Sequence, residues 1–524
     1  MRKRQKIQFM ELLDTLCKAC KQLMTLPYGG VRVNLCADIQ EFVAGMFEFL
    51  QKTADVDTTT SKLLVNMYEK LFAVSQGQET TSSLVELAMQ IAGCAERELK
   101  ANRIEVAFFC YKASMSDCLE SIYMAAKEDP ACDAYFIPIP YFDKNGDGSL
   151  GAVHCEAQGY YSEQYELTDW QSYKVEERCP DVIFIMNPYD ECNMITTVHP
   201  DYYAKKLKNF TEMLVYIPYL VHSEVISPEM AATPGVLFAN KTIVQSEHVR
   251  EQYVNSACKY FPNTSREVWE KKIVSLGSPK TDRVLSMKKE DFPVLKEWEK
   301  LVRQKNGKRV ILYNLSLETA LRFSQKEAKT AYLEKLRSIL RFFQKRKDIL
   351  LWWRPHPLLS ETFQRLDQEL YEEYQKLIRE YQTEGEGIFD GTADMDRAIA
   401  FADACYGDES SLNLLMQLIG KPVLVQNIQN AGSEPAVPGS REHAEQSMKE
   451  FVAKEHYNSY ILYEVMDPSK GGFSLSDFLE YLDVIECWRE EQSGKYRARY
   501  INADGSAGQK IYNYIKKISE EASK

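Results

Sequence analysis

Short runs of apolar residues alternate with amphipathic stretches through most of this 524-residue chain. Buried runs separated by helical segments are typical of βαβ units, in which helices cover a parallel sheet. A first series of such runs lies at 104–109, 135–138, 181–186, 213–217, 235–238, 242–245 and 273–276. A second series lies at 309–313, 349–353, 387–389, 402–406 and 423–426. The alternation predicts an α/β protein with two Rossmann-like domains in tandem.

Both ends of the chain follow a helical pattern instead. Near the N-terminus, apolar residues recur at spacings of three and four, which indicates amphipathic helices. A charged helical stretch separates the two series of strands and reads as a linker. We therefore predict a helical N-terminal region, a first Rossmann-like domain, a second Rossmann-like domain, and C-terminal helices that pack back on the domains, over 1–102, 103–285, 286–470 and 471–524.

Composition excludes several classes of protein. The formal net charge of −12 argues against a nucleic-acid partner, which would need a basic face. The 13 cysteines are scattered without a disulfide framework or a zinc-ligand spacing, as expected for free thiols in a reducing cytoplasm. No apolar run approaches the roughly eighteen residues that would span a bilayer. We expect a cytoplasmic protein.

The first helix begins with the basic stretch Arg2 to Lys6, which allows two interpretations. The helix could make a peripheral contact with the inner face of the cell membrane, or its apolar face could pack on the rest of the protein.

One segment matches a calcium-binding motif only in part. Asp143 to Gly148 matches the first half of a calcium-binding EF-hand loop, but the twelfth position is His154 instead of a bidentate Glu. The flanking residues are not helical either. The segment is therefore predicted to be a surface turn.

Polar residues follow two runs of the second series, where a strand ends and a helix begins. Trp352-Trp353-Arg354-Pro355-His356-Pro357 follows one run, and Gly407-Asp408-Glu409-Ser410-Ser411 follows another. In an open parallel sheet, phosphorylated ligands bind at the carboxyl ends of the strands. The two motifs together predict a site for a nucleoside diphosphate.

Within the second motif, Asp408 is expected to cap the following helix, which leaves Ser410 and Ser411 in its first turn. Two hydroxyls beside unpaired backbone N–H groups, at the positive end of a helix dipole, would hold a pyrophosphate. The alternative is that Asp408 and the serines only cap the helix.

His356 lies between two prolines that restrict the backbone on either side of it. Beside Arg354, a rigid imidazole at a strand end can donate to phosphate oxygens or protonate a leaving group. The alternative is a structural histidine that caps a helix over 358–380.

Two features of the first domain are weaker signals. Ser278 and Pro279 begin a helix, and the neighbouring Gly277 and Lys280 could line a cleft between the domains, although alone the segment reads as a structural turn. His222 follows the run at 213–217 and is a candidate general base. A lone histidine is more often structural, and the sequence shows no second group to orient His222 as a base.

Five segments in order resemble the CDP-glycerol glycerophosphotransferases, the teichoic-acid primases and polymerases of Gram-positive bacteria. They are Gly277 to Asp282, Ile311 to Tyr313, Trp353 to Pro357, Asp403 to Ser411, and Gly420 to Val423. The resemblance implies a GT-B-like fold, with two Rossmann-like domains facing a cleft and the donor bound by the second. It assigns phosphate contacts to His356, Ser410 and Ser411, with Arg354 in support.

The sequence departs from the family pattern at three places. Glu409 stands where the family has Tyr. The family's Tyr-x-Pro-Thr-x-Arg stretch reads Tyr313 to Glu318 here, without the Arg, so Asn314 and Ser316 are the polar residues expected at the donor. The family's Trp-His-Gly-Thr-Pro segment, which carries its proposed base, is not recognisable, and His222 is the histidine in about that region.

The resemblance implies transfer of glycerol phosphate, or a related alditol phosphate, from a CDP-linked donor. The acceptor would be a hydroxyl of a lipid-linked or polymeric precursor of a teichoic-acid-like or other surface glycopolymer. No cofactor is required for this chemistry, and a divalent cation is left open. Two alternatives remain: a GT-B glycosyltransferase or epimerase that uses a nucleotide-sugar, and a degenerate member that binds a nucleotide without turnover.

Overall fold

The computed structural model of the protein describes most of the chain. The described residues are 1–54, 57–145, 147–156, 159–161, 163–222, 226–303, 307–322, 326–384, 386–392, 394–430, 437–453, 461–465, 467 and 471–521. The strands are β1 (Ile104–Cys110), β2 (Cys132–Pro138), β3 (Tyr141–Lys144), β4 (Leu150–His154), β5 (Val182–Ile185), β6 (Thr196–Val198), β7 (Met213–Tyr216), β8 (Lys241–Val244), β9 (Ile273–Ser275), β10 (Arg309–Leu315), β11 (Ile349–Pro355), β12 (Ile388–Phe389), β13 (Ala404–Gly407), β14 (Val423–Val425) and β15 (Leu462–Tyr463).

Helices connect and cover these strands. They are α1 (Lys3–Thr25), α2 (Gly30–Thr53), α3 (Thr59–Ser75), α4 (Ser82–Glu98), α5 (Asp117–Glu128), α6 (Val175–Arg178), α7 (Ala204–Leu207), α8 (Pro234–Phe238), α9 (Glu247–Tyr260), α10 (Arg266–Lys272), α11 (Pro279–Ser286), α12 (Lys296–Arg303), α13 (Leu317–Arg322), α14 (Lys326–Lys345), α15 (Leu359–Leu366), α16 (Gln368–Glu384), α17 (Met395–Phe401), α18 (Ser411–Leu418), α19 (Arg441–Ala453), α20 (Leu475–Glu480), α21 (Leu482–Arg497) and α22 (Ala507–Glu521).

Two six-stranded parallel sheets form the framework. The first has the order β2-β1-β5-β7-β8-β9 and the second the order β12-β11-β10-β13-β14-β15. Every residue of β1 is buried, as expected for a central strand covered on both faces. The predicted fold class, α/β with two Rossmann-like domains and a helical N-terminal region, is confirmed.

The second sheet shows why its strands read as continuous apolar runs. Along β11, Leu351 and Trp353 pack into the core on one face, whereas Leu350 and Trp352 pack into the core on the other. Trp352 also donates its indole N–H to Asp390 at 2.9 Å. Because both faces are covered, neither could be polar, and the alternation of a half-exposed strand is absent from β11.

Three details differ from the expectations. The run at 235–238 is helix α8, because Pro234 at the first helical position favours a helix start over a strand. The antiparallel strands β3, β4 and β6 form a third, small sheet that the sequence did not indicate. The EF-hand-like segment is, as predicted, a turn between β3 and β4, in which Asp143 pairs with His154 at 2.8 Å. Position 146 of that segment lies outside the described residues.

The N-terminal helices pack around a core of their own. The apolar face of α1 is buried against α2 and α4, as the packing alternative predicted. Arg2 is buried and binds Asp181 at 3.0 Å and Glu105 at 2.8 Å in the first domain, while Lys6 pairs with Glu96 at 3.3 Å. Two of the basic residues thus bind the protein's own carboxylates, and membrane contact stays a prediction. Within the described residues, the helices are all too short or too polar to cross a bilayer.

The C-terminal helices return to the domains. The backbone N–H groups of Ala507 and Gly508, at the start of α22, donate to Asp282 on α11 at 3.0 and 2.7 Å. Tyr512 on α22 donates to Asp129 at the end of α5 at 2.7 Å. Helix α22 therefore packs on the first domain, close to the helix that leads to the second.

Candidate active site

A glycine brings two strand ends of the second sheet into contact. Gly407, the last residue of β13, has φ +142°, and a Cβ added there would lie 2.0 Å from the carbonyl oxygen of Asn314 on β10. The next residue, Asp408, donates its backbone N–H to that same oxygen at 2.8 Å. Only a residue without a side chain allows this approach.

Asp408 does not cap helix α18, so that prediction is wrong. Its carboxylate is buried and accepts hydrogen bonds from the backbone N–H of Ser316 at 2.8 Å and from Gln426 Nε2 at 2.5 Å. Burial raises the pKa of Asp408 to about 6, and these two hydrogen bonds oppose the rise. The close approach at Gly407 turns the carboxylate towards the neighbouring strand ends, where it joins the loops after β10, β13 and β14.

Ser410 occupies the N-cap position of α18, with an extended backbone. Its hydroxyl accepts from Asn314 Nδ2 at 3.0 Å and lies 3.2 Å from Asn413 Oδ1, to which it donates. Ser411, the first residue of the eight-residue helix, is exposed. The structure therefore brings Asn314, Ser316, Asp408 and Ser410 together in one network and presents Ser411 beside the first-turn N–H groups.

His356 is held at the end of β11 by backbone contacts. Its N–H donates to the carbonyl of Leu315 at 2.9 Å, and its Nδ1 accepts from the N–H of Leu358 at 3.2 Å. An acceptor at Nδ1 places the proton of the neutral imidazole on Nε2. Burial, followed by the charges of Arg354 and Lys112, lowers the pKa of His356. The half-buried ring is thus a neutral N–H donor, and it also stabilises the turn before α15.

Arg354 is buried behind the end of its strand, with only 6% of its surface exposed. Its Nη2 donates to the carbonyl of Thr392 at 3.3 Å. Burial lowers the pKa of Arg354, while the nearby carboxylates of Asp390, Asp394 and Asp396 raise it. These contacts make Arg354 a support for the loop that follows β12.

Lys112 was missed by the sequence interpretation. It follows β1 in the first domain, and its Nζ lies 5.0 Å from the ring centre of Tyr141 and 5.8 Å from that of Tyr111. The charge of Lys112 acts on His356, and that of Glu361 on α15 acts on Lys112. The two domains also meet nearby, because Arg283 on α11 binds Glu120 on α5 at 3.3 Å and Asp396 on α17 at 2.8 Å. The loop after β1, which leads into α5, therefore lies near the second domain. A lysine directly after the first apolar run was the only local signal.

Gly277 and Lys280 serve the packing of α11. Gly277 has φ +98°, and an added Cβ would lie 2.4 Å from the carbonyl oxygen of Ile501. Lys280 is buried and forms an ion pair with Asp117 in the first turn of α5. The structure does not bring either residue to the network around Ser410.

His222 is buried, with 6% of its surface exposed. Its Nε2 lies 2.9 Å from the hydroxyl of Tyr253, and its backbone N–H and C=O both bond the side-chain amide of Gln245 at 2.7 Å. Burial lowers the pKa of His222 to about 4. A role as general base stays a prediction, and these contacts favour a structural role.

Glu409, the negative residue within the second motif, is exposed. Its carboxylate accepts a hydrogen bond from the hydroxyl of Tyr463 on β15 at 3.3 Å.

Among the residues that the structure describes, no group of three or more His, Cys, Asp or Glu side chains is placed to hold a metal ion.

No protein-family model matches the sequence, and no curated protein is significantly similar to it. Solved structures with a similar chain path include a putative UDP-N-acetylglucosamine 2-epimerase from Listeria monocytogenes, with 12% identity, 80% of this chain and 97% of that chain covered, and a TM-score of 0.43. The wall teichoic acid polymerase TagF has 13% identity, coverages of 88% and 98%, and a TM-score of 0.43. A UDP-GlcNAc 2-epimerase from Neisseria meningitidis bound to UDP-GlcNAc has 11% identity, coverages of 79% and 100%, and a TM-score of 0.39. Sequence identities and TM-scores as low as these do not assign a function to this chain.

Proposed function

We propose that the protein is a transferase that moves glycerol phosphate, or a related alditol phosphate, from a CDP-linked donor to an acceptor hydroxyl. The acceptor would be a precursor of a teichoic-acid-like or other surface glycopolymer. The observation that carries the proposal is the meeting of polar groups from several strand ends. His356 after β11 and the start of α18 after β13 lie in one domain, and the loop after β1, which carries Lys112 and leads into α5, adjoins that domain from the other.

The groups on the second domain suit a pyrophosphate. The Nε2–H of His356, the hydroxyl of Ser411 and the first-turn N–H groups of α18 are all hydrogen-bond donors, and the helix dipole adds partial positive charge. Asn314 and Asp408 hold this arrangement from behind. Neutral donors arranged around a strand end are how open α/β sheets bind phosphates without a dedicated cation.

In the proposed reaction, the acceptor hydroxyl oxygen attacks the β-phosphorus of the donor. The bond from that phosphorus to the bridging oxygen breaks, and CMP leaves with the bridging oxygen and the electron pair. The hydroxyl proton passes to a base on the acceptor side. His356 donates its Nε2–H hydrogen bond to the leaving phosphate as negative charge develops there, so catalysis rests on positioning and charge stabilisation.

The donor site is tested by CDP affinity in calorimetry. His356→Ala removes a donor and Ser411→Ala removes a hydroxyl at the helix start, so each is expected to weaken CDP binding by about tenfold or more. His248→Ala, at an exposed histidine on α9, is the matched control and should bind CDP like the wild type. Equal affinities of all four proteins for CDP would show that the donor site lies elsewhere.

The donor class is tested by product release. Incubation with CDP-glycerol or CDP-ribitol and a polyol-phosphate acceptor should release CMP, and the His356→Ala protein should lose most of that activity. Release of UDP, or epimerisation of UDP-N-acetylglucosamine, would instead establish a nucleotide-sugar enzyme. CDP binding without turnover of any of these donors would establish a nucleotide-binding protein that does not catalyse the transfer.

A further inference from the structure

The ammonium group of Lys112 lacks a counter-ion among the residues that the structure describes. It is half-buried, and among the described residues its Nζ has neither an ion pair within 4.0 Å nor a hydrogen bond. Its Nζ lies over the aromatic rings of Tyr141, 5.0 Å from the ring centre, and Tyr111, at 5.8 Å. Lys112 is therefore positioned by ring contacts and leaves its three N–H donors open.

The acidic residues whose charges act on Lys112 have other partners or face solvent. Glu156 accepts from the backbone N–H of Ala113 at 2.5 Å, and Asp143 pairs with His154 at 2.8 Å. Glu361 is exposed on α15. Each acts on Lys112 from beyond the reach of an ion pair.

Partial burial of an unpaired ammonium is unfavourable, because the lost hydration is not replaced. A cation–π contact recovers only part of that loss. Burial accordingly lowers the pKa of Lys112. An anionic ligand in the cleft would supply the missing partner.

His356 indicates where that anion would lie. The loop that carries Lys112 leads into α5, and Glu120 on α5 shares Arg283 with Asp396 of the second domain, at 3.3 and 2.8 Å. Across this junction, the charge of Lys112 lowers the pKa of His356, whose Nε2–H points away from its own backbone turn. An anion that bridged the two groups would be bound from both domains. The donors on the second domain are neutral, so Lys112 would add the full positive charge that they do not provide.

We propose that Lys112 of the first domain binds the diphosphate of the nucleotide donor held by the second domain. This inference rests on the proposed function, since it names a further residue of the same site. It makes donor binding a contact between both domains, so that a bound diphosphate draws the acceptor domain and the donor domain together around the reacting phosphorus.

The test is a series of affinities measured by calorimetry for cytidine, CMP, CDP, inorganic pyrophosphate and glycerol 3-phosphate. Lys112→Met removes the charge and keeps most of the aliphatic volume, Lys112→Gln is a second neutral variant, and Lys112→Arg keeps the charge. Lys205→Met, at an exposed lysine on α7, is the matched control. Thermal unfolding of each variant establishes that it is folded.

The neutral variants are expected to bind CDP and pyrophosphate about tenfold to a hundredfold more weakly than the wild type, because a charged hydrogen bond is lost. Their affinity for cytidine should be unchanged. Lys112→Arg should retain most of the affinity for CDP, and Lys205→Met should behave like the wild type. Turnover with the CDP-linked donor should fall in the neutral variants and persist in Lys112→Arg.

Several outcomes would overturn the inference. Unchanged CDP affinity in both neutral variants would refute it while leaving the proposed function intact. An equal loss for cytidine and CDP would show a structural effect, and a loss confined to glycerol 3-phosphate would place the anion on the acceptor. If the wild type binds pyrophosphate through Lys112 but no cytidine nucleotide, the phosphate site stands and the proposed donor does not. If it binds neither, both fail.

Discussion

The buried carboxyl of Asp190 makes the stability of the protein depend on pH. It follows β5 in the first domain, has φ +45°, and its Oδ2 accepts from the backbone N–H of Ala204 at 2.7 Å. Burial raises its pKa from 3.8 to about 7. The folded protein therefore holds this proton more tightly than the unfolded chain, and the ionised form opposes folding as pH rises between those two values.

Asp190→Asn should remove that pH dependence. Asn keeps an oxygen acceptor for Ala204 and tolerates a positive φ, but it cannot ionise. From about pH 5 to about pH 8, the free energy of unfolding of the variant should rise relative to the wild type by about 2–3 kcal/mol, measured by urea denaturation. A difference between the two proteins that stays constant over this range would contradict the assignment.

At the scale of elements, the donor site depends on how closely β13 passes β10. Gly407 ends β13. Its φ of +142° and its contact with Asn314 determine the position of Asp408 and the position at which α18 begins. The serines at the helix start are therefore placed by the packing of two strands. Their own capping contacts do not set that position.

Gly407→Ala is expected to destabilise the protein by more than about 3 kcal/mol and to abolish CDP binding, because the added Cβ would overlap the Asn314 backbone. Gly420→Ala is the matched control. Gly420 lies two residues after α18 and has φ +77° but open space around it, so its replacement should cost about 1–2 kcal/mol. Urea unfolding compares the two, and equal losses of stability would refute the steric explanation.

At the scale of the whole molecule, α11 joins the two domains. Arg283 on α11 binds Glu120 on α5 at 3.3 Å and Asp396 on α17 at 2.8 Å. The neighbouring Asp282 binds the start of α22. One short helix thus connects the first domain, the second domain and the C-terminal segment.

Arg283→Ala should weaken the junction between the domains. It leaves two partly buried carboxylates without their shared partner, so the unfolding free energy should fall by about 2 kcal/mol, and calorimetry should resolve the domains as separate transitions. Arg266→Ala is the control, because Arg266 pairs with Glu251 and Glu270 on the exposed surface of one domain. That variant should change stability by less than about 1 kcal/mol. A single unshifted transition for Arg283→Ala would contradict this account.

The sequence by itself determined the two parallel sheets and the position of the candidate site along the chain, but not the small antiparallel sheet. A strand covered on both faces is mostly apolar, so β1 and β11 could be predicted from their apolar runs, although each also carries one buried charged residue, Glu105 and Arg354. His356 and Ser410 follow buried runs directly, so local order was enough to place both at strand ends. The apolar run at 235–238 failed as a strand because burial alone does not separate a strand from a buried helix.

The tertiary structure decided what each polar group does. Asp408 turns towards Ser316 and Gln426, which local spacing could not reveal because the partners lie on other strand ends. Lys280 forms an ion pair with Asp117, and the charge of Lys112 reaches His356 only because the two domains pack together. The apolar pattern of a strand or helix is a local property of the sequence. The partner of a charged group depends on contacts between distant segments, and those exist only once the chain has folded.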